Sequence, residues 1–279
     1  MPSAFVLALT SGFTHAVWNA LAKGAGNQRA TTAGALILAT AATLLLMLWF
    51  GPGPVTLASV PWVLLAGLGE SLYVLSLGQA YSKGDLALTY AVSRASALAF
   101  IWPASLLAFS TVPTSLALGA TVLVALGTLL TRRPGNTRSS WNVPWTLATG
   151  ASIALYHTGY KGAVAAGTSA VAAFLGALAI AVPALLAMVG APVRKELPAV
   201  LRKPVLWLAG ALCAASFLLM LLALKSAESG RILGVRNASV GFALLFAVFG
   251  GERLHRRQWL GLGVLGTGLA LFALEQVSS

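Results

Sequence analysis

Charge is what this sequence has least of. Of 279 residues, 9% are charged, against roughly 25% in an ordinary soluble domain. That density cannot cover a water-facing surface, so a soluble globular protein is excluded. Acidic residues number only six. Cysteine occurs once, at Cys213, which excludes an intrachain disulfide and reads as a packed helix residue. No Gly-rich loop closing on Lys-Ser or Lys-Thr is present, which argues against an ATP-driven pump. The three histidines and the cysteine lie in separate segments, so no metal-ligand cluster is expected. No Gly-x-Ser-x-Gly turn marks a hydrolase. No enzyme activity and no cofactor is expected.

What is there is apolar. Hydrophobic residues make up 58% of the chain and the mean hydropathy is +0.86. Spanning a bilayer takes about 20 apolar residues. Ten segments of about that length can be placed: 3–23, 32–50, 59–81, 86–109, 114–131, 144–163, 169–190, 204–225, 229–250 and 257–275. The breaks carry turn chemistry, as in Gly51-Pro52-Gly53-Pro54 and Ala191-Pro192-Val193-Arg194-Lys195. Residues 1–23 could mimic a signal peptide, but His15, Asn19 and Lys23 sit at its wrong end. Trp49, Trp62, Trp141, Trp145, Trp207 and Trp259 fall near segment ends, where an aromatic belt belongs. The runs are too long, and lack the two-residue alternation, for a β-barrel. The expected class is all-α and polytopic, with the lipid bilayer as its surroundings.

The formal net charge of +12 does not point to nucleic acid, because of where it sits. The loops after segments 1, 3, 5, 7 and 9 hold 13 basic residues: Lys23, Arg29, Lys83, Arg132, Arg133, Arg138, Arg194, Lys195, Arg202, Lys203, Arg253, Arg256 and Arg257. The loops after segments 2, 4 and 6 hold none, and the loop after segment 8 holds Lys225 and Arg231. The positive-inside rule places the 13 in the cytoplasm and both termini outside.

The chain repeats itself at an offset of 142 residues. Lys83 and Arg94 correspond to Lys225 and Arg236, His15 to His157, Trp18 to Tyr160, and Gly119 to Gly261. Five helices per repeat is odd, so the second half starts on the opposite side and is inverted. Inverted repeats build transporters with a site between the halves near the midplane. The expected organisation is residues 1–131, a central loop at 132–143, and residues 144–279. The match is incomplete: Glu70 maps to Leu212, and Glu252 maps back to Ser110.

Four stretches resemble the drug/metabolite transporter superfamily, specifically its ten-helix EamA-type permeases. They are His15-Ala16-Val17-Trp18-Asn19-Ala20-Leu21-Ala22-Lys23, the run from Lys83-Gly84-Asp85 to Arg94, Arg236-Asn237-Ala238-Ser239-Val240, and Gly251-Glu252-Arg253-Leu254 with Gly261 beyond. The resemblance covers nearly the whole chain. It implies a secondary transporter in a bacterial-type inner membrane, exporting small metabolites such as amino acids. Members are often described with cytoplasmic termini, which runs against the charge distribution. The first half has Phe109-Ser110 where the Gly-Glu pair would stand, so a role for that pair at both ends is not implied.

Polar groups inside a membrane are costly unless they face protein, water or solute, so they mark candidate sites. Ser11, His15, Trp18 and Asn19 share one stripe of segment 1, and Tyr156, His157, Tyr160 and Lys161 answer in segment 6. Each stripe can line a path or hydrogen-bond between helices. Glu70 is 13 residues before Lys83 and Arg94 is 11 after it. At about 1.5 Å per residue both reach roughly 17–20 Å from the turn, so a Glu70–Arg94 pair across the hairpin is expected, as a structural lock or as a pair that a proton or solute opens. Tyr73 and Tyr90 sit one turn from Glu70 and Arg94. Arg236 is either an anchor or an anion contact. Trp102, beside Pro103, can shape a gate or simply pack.

The function expected is alternating-access transport of a small amphipathic solute, with protons as a candidate coupling ion through Glu70, His15 or His157. Trp18, Tyr73, Tyr90 and Tyr160 would cover apolar parts, and Asn19, Arg94, Lys161 and Arg236 polar ones. Two alternatives stay open: an organic-cation exporter with Glu70 as counter-ion, and a membrane-embedded enzyme or carrier for a lipid phosphate. A monomer or weak homodimer is expected.

Overall fold

The computed structural model describes residues 3–82, 86–132 and 142–278. Lys83 and Asp85, nearly all of the central loop, and the belt residue Trp141 lie outside the described residues. The elements in order are α1 (Ala4–Gly24), α2 (Gln28–Phe50), a 3₁₀ turn (Leu57–Ser59), α3 (Val60–Ser82), α4 (Leu86–Phe109), α5 (Ser115–Leu130), α6 (Val143–Ala165), α7 (Ala170–Met188), α8 (Ala191–Leu201), α9 (Pro204–Ser226), α10 (Ser229–Arg236), α11 (Ala238–Phe249) and α12 (Arg256–Ser278). Among the described residues there is no strand.

Local chemistry sets the helix ends. Side-chain oxygens of Ser3, Asn27, Thr114 and Ser169 accept from backbone N–H groups of the first turns of α1, α2, α5 and α7, satisfying donors that the helix itself cannot. Proline opens α6, α8 and α9, where its missing N–H costs nothing.

Eight helical stretches are long and apolar enough to cross a membrane. Leu48, Trp49, Leu107 and Phe249 are each more than 70% exposed, a surface that water would penalise and lipid accepts. The protein is a multi-pass membrane protein. Of the expected belt, Trp49, Trp145, Trp207 and Trp259 are exposed, whereas Trp62 packs beside the Phe109 ring. The α5 helix is apolar but only 16 residues long. The α6 helix stands outside the eight because Thr146, Thr149, Ser152, His157, Thr158 and Lys161 dilute it. It can carry them because protein, not lipid, surrounds it: α3, α4, α7, α9 and α10 all touch it.

The closest crossings use missing side chains. A Cβ on Gly159 of α6 would come within 2.5 Å of the Ala66 backbone nitrogen on α3. On the other side of the bundle, a Cβ on Gly12 of α1 would stand 3.0 Å from the Arg236 carbonyl oxygen. Small residues let helices meet at backbone distance, where packing in lipid is strongest.

Two features depart from the sequence reading. Residues 191–201, expected as loop, fold as the amphipathic α8, which buries Val193, Leu197 and Val200 and packs on α2 and α9. The segment expected at 229–250 is broken at Asn237, between α10 and α11. The Asn237 N–H is shared between the carbonyls of Leu233 and Gly234, a tightened turn rather than a regular helical one.

The loops tie the two ends of the bundle. At one end Lys203 Nζ donates to the Ala25 carbonyl at 2.5 Å and Gln258 Nε2 to the Thr131 carbonyl at 3.1 Å. At the other, Ser169 Oγ donates to the Pro52 carbonyl at 2.6 Å and Thr56 Oγ1 to the Ala166 carbonyl at 2.8 Å.

Candidate functional site

His15, Glu70, Arg94, His157, Tyr160 and Arg236 are all buried, and they come from α1, α3, α4, α6 and α10. His15 is the meeting point. Arg94 Nη2 lies 2.7 Å from its Nε2, Arg236 Nη2 lies 3.4 Å from its Nδ1, and Trp18 Nε1 donates to the same Nδ1 at 3.3 Å. All three neighbours are donors, and a neutral imidazole has one acceptor nitrogen. The ring cannot satisfy both guanidinium groups at once.

Arg236 is completely buried at the last residue before the helix break. Its Nη1 donates to Met220 Sδ at 3.0 Å, its Nη2 faces Ser216 Oγ at 3.4 Å, and its guanidinium lies 4.6 Å from the centre of the Phe217 ring. Tyr156 also faces it. Each of these neighbours is neutral, and Nε has no hydrogen-bond partner. In direct contact the cation is held by ring and dipole interactions, with Glu70 and Arg94 within electrostatic reach.

Glu70 does not pair with Arg94 as expected. Its Oε1 accepts from the Tyr160 hydroxyl at 2.5 Å. The α3–α4 contact is slight, while α3 packs extensively on α6, and that rotates the carboxylate toward α6. Counting residues from the turn contains no direction around the helix.

The polar accounting is open at the same place. Both ring nitrogens of His157, both amide atoms of Asn237 and the Ser239 hydroxyl are buried without a hydrogen-bond partner. Buried polar atoms are usually satisfied, so these groups next to Arg236 are candidates for contact with a polar solute.

The remaining candidates separate into three groups. Tyr73 and Tyr90 flank the centre: Tyr73 meets the Tyr156 ring edge-on at 6.1 Å, and the Arg94 guanidinium lies 5.4 Å from the Tyr90 ring centre. Asn19 and Trp102 point elsewhere. Asn19 is exposed and donates to the carbonyl of His15 on its own helix. Trp102 donates to Thr121 on α5 at 2.9 Å and packs over Gly230. Lys161 sits toward the end that carries Ser169, donating to the carbonyls of Leu224 at 2.7 Å and Ala227 at 3.0 Å.

No family model matches this chain, and no curated protein matches it. A solved structure described only as "Crystal structure of protein" is similar over 98% of this chain and 99% of that one, with a TM-score of 0.75 and 16% identity. At that identity the likeness shows a shared fold.

Ser216, Phe217, Met220 and Asn237 were not singled out from the sequence. The first three lie in the apolar run of α9, where nothing distinguishes a residue that faces a guanidinium from one that faces lipid. Asn237 carried a signal: a polar residue next to Arg236 inside a spanning segment.

Proposed function

We propose that this protein is a secondary transporter of the EamA type, moving a small amphipathic solute that carries a carboxylate across an inner membrane by alternating access. Arg236 carries the reading. A fully buried guanidinium whose hydrogen-bond and ring contacts are neutral, with a second guanidinium, Arg94, in its field and an unfilled donor, is costly to keep, and a mobile anion that completes it accounts for the cost. Arg94 approaches the same imidazole from the equivalent position of the other half, so a carboxylate between the two can take charge-assisted hydrogen bonds from both. Glu70, held by Tyr160 in the same core, suits an ammonium group on the solute or a coupling proton. An amino acid has both charges.

Ten crossings arranged as two inverted five-helix repeats fit this reading. Counting α10 and α11 as one span, and setting α8 aside as interfacial, leaves ten helical spans. The packing pairs exchange under the 142-residue offset: α3 on α6 corresponds to α9 on α1, α4 on α6 to the α10–α11 span on α1, and α2 on α9 to α7 on α3. A pseudo-two-fold axis would produce this exchange, and it would set the Arg94–His15–Arg236 centre between the halves. Export and the preference for amino acids come from the resemblance in the motifs of α1, α4 and α10–α11.

The test is flux in proteoliposomes with a panel of amino acids, their methyl esters and organic cations, with and without a pH gradient. Saturable movement of carboxylates, lost on esterification and lost in Arg236→Gln, is the expected result. Movement of cations alone would overturn it.

A further inference from the structure

A cavity of about 460 Å³ opens at the end of the bundle that carries the chain termini. It lies where the start of α1, the ends of α9 and α12, and α10 meet Lys161 of α6. Its volume is within the range of small-molecule sites. Phe5, Ile232 and Phe272 give it apolar walls, and Val235, the residue before Arg236, lines it too.

Its polar lining is mostly cationic, and the charges differ in how they are committed. Arg231 binds two carboxylates, Glu228 Oε2 at 2.6 Å and Glu275 Oε1 at 3.1 Å. Those acids are thereby engaged. Among the described residues, neither Lys161 nor Lys225 has a carboxylate within ion-pair distance. Lys225 is exposed at the rim. The Lys161 ammonium is half-buried and pinned by the carbonyls of Leu224 and Ala227. An ammonium has three donors, so one is left for a guest. A fixed ammonium beside apolar walls, with a second one at the mouth, matches an anion attached to an apolar body.

We propose that this vestibule is a second binding subsite, selecting amphipathic carboxylates at the terminal end of the path before or after they occupy the Arg94–Arg236 centre. Lys161 grips the carboxylate, Phe5 and Phe272 cover the apolar part, and Lys225 raises the local anion concentration. The two subsites are joined by short stretches of chain: Lys161 follows Tyr160, and Val235 precedes Arg236. The proposal deepens the transporter reading and rests on it for the path, though not for the binding.

Binding is therefore measured apart from flux. The protein in lipid nanodiscs is titrated with 2-naphthylacetate and with its neutral amide by calorimetry. The wild type should bind two equivalents of the carboxylate and at least tenfold less amide. Lys161→Gln with Lys225→Gln should weaken one equivalent at least tenfold, while Arg236→Gln weakens the other. Because Lys161 also caps α9, Lys225→Glu alone serves as the check that leaves packing untouched; it should weaken the outer equivalent and steepen its salt sensitivity. Two-site binding unchanged in these variants, equal binding of the amide, or no saturable binding of the carboxylate overturns the subsite. Retained vestibule binding without flux of any solute overturns the transporter reading alone.

Discussion

Arg94 and Arg236 stand 142 residues apart and reach opposite nitrogens of one imidazole, at 2.7 Å and 3.4 Å. Either tautomer of His15 accepts from one side and presents N–H to the other. Arg236 keeps an unfilled Nε donor, and in the proposed reading a solute carboxylate supplies its acceptor. On the proposed transporter reading, a solute carboxylate that stabilises this centre would meet the energetic requirement for driving its own occlusion.

Arg236→Gln keeps the length and removes the charge. Hydrogen bonds to charged groups contribute about 1.5–3 kcal/mol, so solute affinity should fall roughly 10- to 100-fold. Calorimetry in nanodiscs measures this. The thermal midpoint should hold or rise, since a desolvated cation repelled by Arg94 is lost. An unchanged affinity would place the anion elsewhere.

Tyr160→Phe removes the donor that holds Glu70 at 2.5 Å. An abandoned buried acceptor costs about 1–3 kcal/mol, so the melting temperature in detergent should drop. Glu70→Gln keeps a hydrogen-bonding partner for Tyr160 and should melt near the wild type. If Glu70 is the coupling group, Glu70→Gln abolishes uphill flux under a pH gradient and leaves solute exchange. Equal coupling in the variant would remove Glu70 from that role.

His157→Leu tests the unpartnered imidazole. Both ring nitrogens are buried without partners, so an apolar replacement of lower polarity should leave stability unchanged or raise it. Solute binding should nonetheless weaken. A large loss of stability would mean that His157 is a structural hydrogen-bonding group.

The two close crossings should respond differently. In Gly159→Leu the side chain must enter space 2.5 Å from the α3 backbone, and overpacking costs about 1–3 kcal/mol or more. Size-exclusion profiles should show loss of the folded monodisperse protein. Gly12→Ala meets the Arg236 carbonyl at 3.0 Å, a misfit of a few tenths of an ångström. It should fold and shift the solute affinity, by moving α10 rather than by touching the solute.

Much of the molecule could be read along the chain. A spanning helix satisfies its own backbone hydrogen bonds and needs only about 20 apolar residues, so segments such as 86–109 and 204–225 lie within a residue or so of α4 (Leu86–Phe109) and α9 (Pro204–Ser226). Helix caps and glycine breaks are equally local. The candidates His15, Arg94 and Arg236 stood out because a charged or imidazole side chain in such a run is conspicuous wherever it points.

What a run of apolar residues does not contain is rotation. Glu70 turns to Tyr160 instead of Arg94 because α3 packs on α6 rather than on its hairpin partner. Asn19 turns back on its own helix, Trp102 packs into α5, and Lys161 reaches the terminal vestibule instead of the centre. Ser216, Phe217 and Met220 surround Arg236 because α9 presents that face. The amino-acid sequence by itself determined the membrane class, the helical stretches and most of the polar residues available to a site, since each of these is set within one segment by backbone hydrogen bonding and lipid. Only the tertiary structure decided which of them meet, because that depends on interhelical crossings made at backbone contact, between residues as far apart as Gly12 and Arg236.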